Sequence, residues 1–124
     1  NNITIKFDII FIGLSLHHLQ KEEKIFFFKY SKLLLIKFGK LIIYEPVYQL
    51  NQSRDNYYYN QNLLFQKCGL TEKEREKVLL HMTSADYPEE IEVYNNIGLI
   101  NGYKHMNILF LSPEKELAML EFGS

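Results

Sequence analysis

The sequence predicts an α/β fold built around a parallel pair of strands, and three segments carry this prediction. Residues 7–12 (FDIIFI) and 41–44 (LIIY) are short apolar runs with several isoleucines, which is typical of buried strands. Between them, residues 22–38 repeat apolar side chains at helical spacing. A strand, a crossover helix and a second strand form a βαβ unit, so the two strands are expected to pair in parallel.

The limits of this unit follow from residues that interrupt regular structure. Gly39 is expected to end the helix in a left-handed cap. Pro46 is expected to stop the second strand, because it has no N–H to donate. Residues 13–20 form the loop after the first strand. The apolar first strand is expected to be covered on both faces, with helices on both sides of the sheet.

The middle of the chain is predicted to be helical. Residues 49–61 read as a loop that passes into a helix. Thr71, followed three residues later by Glu74, is a capping box that opens a helix ending near residue 81.

The last third predicts one more helix and a hairpin. Residues 86–88 (DYP) have the pattern of a helix start, and this helix is expected to run to residue 101 and close at Gly102. Residues 105–111 and 116–122 are strand-like and are predicted to form an antiparallel hairpin.

Length and charge limit the classes of protein to consider. The 124 residues fit one domain, residues 1–124, and 14 basic against 15 acidic side chains give a net charge of −1. This balance gives no basic surface for nucleic acid or for a membrane. The longest apolar run, residues 25–38, contains three lysines and is not expected to span a bilayer. The lone cysteine, Cys68, suits a reducing compartment, and we expect a cytoplasmic protein.

The order of the segments resembles the second half of a class I S-adenosylmethionine-dependent methyltransferase, which has a Rossmann-like fold. The resemblance rests on FDIIF (7–11), LHHL (16–19), KFGK (37–40), LIIYEP (41–46) and GYKHMNILFLSP (102–113). It implies that the four strands correspond to the family's fourth to seventh strands, with the last inserted antiparallel beside the fifth. The glycine-rich first half is not in this sequence, so the chain is expected to be the C-terminal portion of the domain.

The resemblance places the functional site at the carboxyl ends of the first two strands, where open α/β sheets bind ligands. It implies that Gly13, Leu14 and Ser15 lie under the methionine part of the cofactor S-adenosylmethionine and contribute mainly backbone groups. The family's glycine-rich turn and ribose-binding acid are missing here, so most contacts to the cofactor are missing too.

His17, His18 and Glu45 are the candidate catalytic residues. A histidine titrates near neutral pH and can take a proton from a nucleophile. The alternative is that one histidine caps the next helix and the other packs under the sheet. Glu45 is either a base or hydrogen-bond acceptor for substrate, or a cap for the next segment.

Tyr48, Tyr58 and His81 are the candidate substrate-binding residues. Tyrosines offer aromatic faces and hydroxyls to a ligand, although half-buried packing is their alternative role. A solvated helix end is the alternative for His81. No metal site is expected, because the four histidines do not show ligand spacing and Cys68 has no cysteine partner.

The predicted function is methyl transfer to an oxygen, carbon or nitrogen of a small-molecule substrate. The alternative is a non-catalytic α/β module, derived from the same fold, that binds a protein partner. In the family's strand order the first strand of this chain lacks a neighbour, so it is expected to be an exposed edge through which the chain self-associates.

Overall fold

A computed structural model describes residues 5–124, which leaves residues 1–4 of the predicted domain outside the described range. The elements in that range are, in order, β1 (Phe7–Gly13), a 3₁₀ turn (Leu16–His18), α1 (Lys21–Leu34), β2 (Leu35–Tyr48), α2 (Arg54–Lys67), α3 (Glu72–Ala85), β3 (Glu89–Glu90), α4 (Ile91–Ile100), β4 (His105–Leu111) and β5 (Leu117–Gly123).

The strands form a mixed sheet in the order β1-β2-β5-β4, and the short β3 pairs with the end of β2. β1 and β2 are parallel, which confirms the predicted βαβ unit. β5 lies antiparallel between β2 and β4, with Ile43 opposite Leu120. The last strand therefore sits beside the second long strand, as the resemblance implied.

α1 and α4 cover one face of this sheet and form the core with it. The ring of Phe28 in α1 meets the ring of Phe122 edge-on, with centroids 5.0 Å apart. Gly98 of α4 lies against the same Phe122 ring, where a Cβ atom would come within 2.7 Å of it. Leu41 and Ile43 of β2 point to this face and are fully buried.

The opposite face of the sheet is open in the described residues. Ile9 and Phe11 of β1 are each 58% exposed, and Tyr44 and Met119 behind them are half-buried. This differs from the expected cover on both faces, because α1 and α4 lie on the same side of the sheet. Instead of crossing the open face, α2 meets Tyr48 at the carboxyl end of β2. β1 is also an edge strand, since β2 is its one partner within residues 5–124.

The helix predicted over residues 22–38 is shorter, and the predictions for Gly39 and Pro46 are wrong. β2 continues through Pro46, which lies opposite Leu117 of β5, and ends at Tyr48. α1 ends at Leu34, and Leu35 is already extended, with a ψ of 145°. An apolar run such as LLLIKF fits a helix or a buried strand, and here Leu35 is buried as the first residue of β2. Gly39 is not a left-handed cap; its missing Cβ would lie 3.0 Å from the Leu35 side chain, so glycine permits a close contact.

The second half follows the prediction more closely, except at residues 86–90. α3 begins after the Thr71 capping box and continues to Ala85, beyond the predicted end. α4 starts at Ile91 instead of at residues 86–88, which are extended and lead into β3. Gly102 closes α4 with a φ of 93°, as predicted. No helix in the described part of the chain has the length and apolar character to cross a membrane.

Candidate functional site

The loop between β1 and α1 carries His17 to the carboxyl end of the sheet. It turns at Leu14, whose φ of 54° is left-handed, and the Leu14 N–H donates to the Tyr44 carbonyl oxygen at 2.7 Å. The 3₁₀ turn that follows places Leu16 in the core and leaves His17 only 8% exposed. These contacts hold the loop against β2, and His17 faces that strand.

Glu45 of β2 fixes both the loop and the imidazole of His17. Its side chain is fully buried. Its carboxylate accepts the Ser15 N–H at 3.0 Å, the His17 N–H at 3.0 Å and His17 Nδ1 at 2.8 Å. Because a carboxylate accepts and does not donate, this network assigns the ring proton of neutral His17 to Nδ1. His17 Nε2 is then the nitrogen with a free lone pair.

Asp86 lies on the other side of the two histidines. Asp86 Oδ2 is 3.9 Å from His17 Nε2, and Asp86 Oδ1 is 3.2 Å from His18 Nδ1. The shorter separation does not have hydrogen-bond geometry, and Asp86 Oδ1 is buried without a hydrogen-bond partner among the described residues. The centroids of the two imidazole rings are 4.0 Å apart. We call His17, His18, Glu45 and Asp86 the histidine–acid cluster.

A buried lysine of α1 fixes the segment that carries Asp86. Lys24 is fully buried, and its Nζ donates to the Tyr87 carbonyl oxygen and to Glu89 Oε2, the latter at 2.7 Å. The Tyr87 N–H in turn donates to the His17 carbonyl oxygen at 2.5 Å. These contacts hold residues 86–90 extended beside the histidines, which is why the helix predicted to start there begins later.

A cleft of about 360 Å³ opens beside His17 and Asp86. Leu14, Leu64 and Met82 are among the apolar side chains of its wall, and Gln61 adds an amide. An apolar cleft with a few convergent polar groups is the usual form of a small-molecule site.

The predicted cofactor loop, residues 13–15, offers fewer free backbone N–H groups to a ligand than expected. The amide of Leu14 is bonded to Tyr44 and the amide of Ser15 to Glu45, so neither is free to donate to a ligand. The Ser15 hydroxyl donates to the Gly13 carbonyl oxygen at 3.2 Å. The half-exposed side chain of Leu14 lines the cleft and is the part of this loop that a ligand can contact.

The predicted substrate residues do not gather in the cleft. Tyr58 is buried, its hydroxyl donates to the Met82 carbonyl oxygen at 3.1 Å, and burial raises its pKa to about 12. Tyr48 packs edge-on against Tyr57 with ring centroids 4.8 Å apart, and burial raises the pKa of Tyr48 as well. His81 is exposed on α3 and is not part of the cleft wall.

Tyr57 and Asp86 also line the cleft. Tyr57 belongs to the tyrosine run 57–59 that the sequence offers as a possible pocket lining, whereas Asp86 was not a sequence candidate. A signal for Tyr57 exists, because Tyr57, Gln61 and Leu64 have helical spacing and share the cleft-facing side of α2. Burial raises the pKa of Tyr57 even more than that of Tyr58. No local signal marks Asp86, since its neighbours resemble a helix start.

Comparison with known proteins supports the fold. Neither the protein-family models nor the curated protein sequences match this chain. Among solved structures, it is similar to a protein of Nostoc punctiforme assigned as an O-methyltransferase (TM-score 0.62, 12% identity, covering 97% of this chain and 32% of that one). It is also similar to PigF, solved with SAH (0.67, 14%, 99% and 32%), and to LaPhzM (0.62, 15%, 98% and 31%).

Identities this low concern the fold alone, and the chain spans about a third of the length of the solved structures it matches. The match runs through β1, the crossover helix, β2 and the closing hairpin, since it covers nearly all of this chain. The chain therefore has the Rossmann-like α/β fold of methyltransferases, as its sequence predicted.

Proposed function

We propose that this chain supplies the acceptor-binding and proton-accepting part of an S-adenosylmethionine-dependent O-methyltransferase. The observation that carries the proposal is His17, whose Nδ1 is bonded to buried Glu45 at 2.8 Å while its ring lines an apolar cleft. A histidine oriented by a carboxylate is the arrangement that general-base catalysis needs.

His17 Nε2 would take the proton of an acceptor hydroxyl as the oxygen attacks the methyl group. Glu45 then stabilises the imidazolium that forms, and it holds the ring in the tautomer that leaves Nε2 free. S-adenosylmethionine, when bound, supplies a methyl group on a positively charged sulfur, which is already a good leaving group. The proton on His17 returns to solvent after transfer.

The residues present fit this cofactor in part. Leu14 offers apolar surface at the carboxyl end of β1, the rim where open α/β sheets bind their ligands. The amides of Leu14 and Ser15 are occupied within the protein, and this sequence contains no glycine-rich turn. This chain therefore supplies one wall of a cofactor site.

The walls of the cleft favour a small, largely apolar acceptor with one reactive hydroxyl. A phenol is the best match, because its pKa of about 10 puts its proton within reach of a histidine base. Oxygen is favoured over nitrogen, since a neutral amine needs no base before it attacks. A cytoplasmic location is proposed with it, because the exposed thiol of Cys68 suits a reducing compartment.

The test is methyl transfer from labelled S-adenosylmethionine to a panel of small phenols, using the protein from its complete reading frame. His17→Ala is expected to lower kcat by about 10²–10⁴-fold, and added imidazole is expected to restore part of it. His105→Ala, at an exposed site on β4, is the matched control and should keep full turnover. A folded His17→Ala variant with wild-type kcat would refute the proposal.

A non-catalytic module that pairs with another protein is the second candidate, and the open edge of β1 supports it. The two proposals predict opposite results. A binding module would tolerate His17→Ala and lose its partner when a charge is placed on β1, for example in Ile9→Lys.

A further inference from the structure

We propose that His17, His18 and Asp86 form a binding site for one divalent ion of the Zn²⁺ class. This goes beyond methyl transfer and is tested without it. One ligand atom from each of the three residues lies within 4.8 Å of the others. Two imidazole nitrogens and a carboxylate oxygen are ligands that zinc prefers, whereas Mg²⁺ and Ca²⁺ prefer sites of oxygen alone.

The spacing of these atoms matches a tetrahedral ion. Zinc bonds of about 2.0–2.1 Å place two ligand atoms about 3.3 Å apart. His18 Nδ1 and Asp86 Oδ1 are 3.2 Å apart, and His17 Nε2 and Asp86 Oδ2 are 3.9 Å apart. The two distances end on different oxygens of Asp86, and one ligand atom from each of the three residues lies within 4.8 Å of the others. Side-chain rotations that shorten the longer separations would bring the three ligands onto one centre.

The surroundings of Asp86 give independent evidence that a cation binds here. It is 7% exposed, and its Oδ1 is buried with no hydrogen-bond partner among the described residues. A buried carboxylate oxygen without a partner is costly, and such groups are normally bonded or bound to a metal. The unpartnered oxygen lies next to His18 Nδ1, so a cation between the two atoms would satisfy both.

Glu45 makes the hydrogen bond that a metal-binding histidine usually forms with its other ring nitrogen. Histidines that bind metals usually donate the other ring N–H to a carboxylate, which fixes the tautomer and strengthens the ligand. His17 Nδ1 is bonded to Glu45 in this way, and Nε2 faces Asp86. The sequence argument against a metal considered histidines and Cys68, and Asp86 supplies the third ligand that they lack.

The site can exchange its ion with solvent. The His18 side chain is 49% exposed, whereas those of His17 and Asp86 are at most 10% exposed. Three protein ligands leave a fourth position for water, as in zinc sites that are not purely structural. Because the ion would use His17 Nε2, the proposed base, bound zinc should also inhibit methyl transfer.

Calorimetric titration of the 124-residue chain with Zn²⁺, and visible absorption with Co²⁺ as a probe of tetrahedral binding, test the site. All variants carry Cys68→Ser, because this exposed thiol can bind zinc by itself. We expect one ion per chain. His18→Ala and Asp86→Asn should each weaken binding by at least about 100-fold, and Glu45→Gln by about 10–100-fold. His105→Ala is the control and should bind like the parent.

Loss of binding in His18→Ala with normal binding in His105→Ala supports the site, and circular dichroism checks that both variants fold. Because His18 is exposed, His18→Ala should fold normally, even if Asp86→Asn does not. Absence of stoichiometric binding in the parent, or equal binding by parent and His18→Ala, overturns the inference. Neither result depends on methyl transfer, so the zinc site and the proposed function can fail separately.

Discussion

Glu45→Gln is the substitution that most directly tests how the site is built. Glutamine has nearly the same shape as glutamate, so packing in the core should be kept. It has one acceptor oxygen and one NH₂ donor, whereas Glu45 uses both oxygens to accept three hydrogen bonds. If the amide oxygen takes the place of Oε1, the NH₂ group faces the Ser15 N–H, and two donors oppose each other.

The expected loss of stability follows from these bonds. One hydrogen bond to a charged acceptor is lost, at about 1.5–3 kcal/mol. The two bonds from His17 remain, but each loses roughly half of its strength when the acceptor becomes neutral. Removal of a buried charge offsets part of the loss. The free energy of unfolding should fall by about 2–3 kcal/mol, which lowers Tm by about 10 °C for a domain of this size.

Thermal and urea unfolding measure this change, and amide hydrogen exchange by NMR locates it. Exchange should accelerate most at the amides of Ser15 and His17, the two that Glu45 accepts. Glu121→Gln is the matched control on the same sheet: its partners are Lys40 at 3.9 Å and Asn107 at 3.2 Å, and a half-exposed pair contributes little.

Turnover gives a second readout for the same variant. Without the carboxylate, the imidazole tautomer is no longer fixed and the imidazolium is not stabilised, so kcat should fall on the order of 10³-fold. A Glu45→Gln protein that melts within about 2 °C of wild type, with unchanged exchange at Ser15, would refute the structural reasoning.

Lys24→Met leaves Glu89 without its buried cation, so the free energy of unfolding measured in urea should fall by about 3 kcal/mol. The double variant with Glu89→Gln should recover part of this loss. A Lys24→Met variant as stable as wild type would contradict a stabilising role for the pair. Burial raises the pKa of Tyr103 to about 12. The unfolded chain ionises its tyrosines near pH 10, so the contribution of Tyr103 to stability should be constant below about pH 10 and fall towards pH 12. Tyr103→Phe should make that fall shallower in urea melts across this range, and an unchanged slope would contradict the assignment. The isolated chain should self-associate through β1, and Phe11→Lys should shift it to a 14.8 kDa monomer in light scattering; a monomeric wild type would reject this edge.

Local sequence signals were sufficient for most of the fold. The apolar runs of β1 and β2, with the crossover between them, predicted the parallel pair. The Thr71 capping box has its two reciprocal hydrogen bonds, and Gly102 is left-handed. β4 was predicted over the residues it occupies. The cap and the left-handed glycine depend on contacts within a few residues, and the strands are marked by their own apolar runs, so the sequence carries these signals directly.

The predictions that differ from the structure concern segments shaped by distant contacts. Leu35 leaves the helix because it packs into the core and pairs with Phe7 of β1. Residues 86–90 stay extended because Lys24 and the His17 backbone hold them, at sequence separations above 60. Tertiary contacts of this kind override local propensity and leave no local pattern. For the same reason His17 and Glu45 could be predicted as site residues from the sequence, whereas the position of Asp86 beside them could not.

The burial of four ionisable residues in and beside the histidine–acid cluster separates the two candidate functions. His17, Lys24, Glu45 and Asp86 are at most 8% exposed. Apolar residues of similar size would often be as stable there, or more stable, so core packing alone gives no reason for four buried ionisable groups. A module that serves only to pair through β1 would gain nothing from them. Each one contacts His17 or holds a segment that does. Conflicts with the rules of folding concentrate at functional sites, and here they all converge on one imidazole beside a cleft. These four buried residues therefore favour ligand chemistry over a purely structural role.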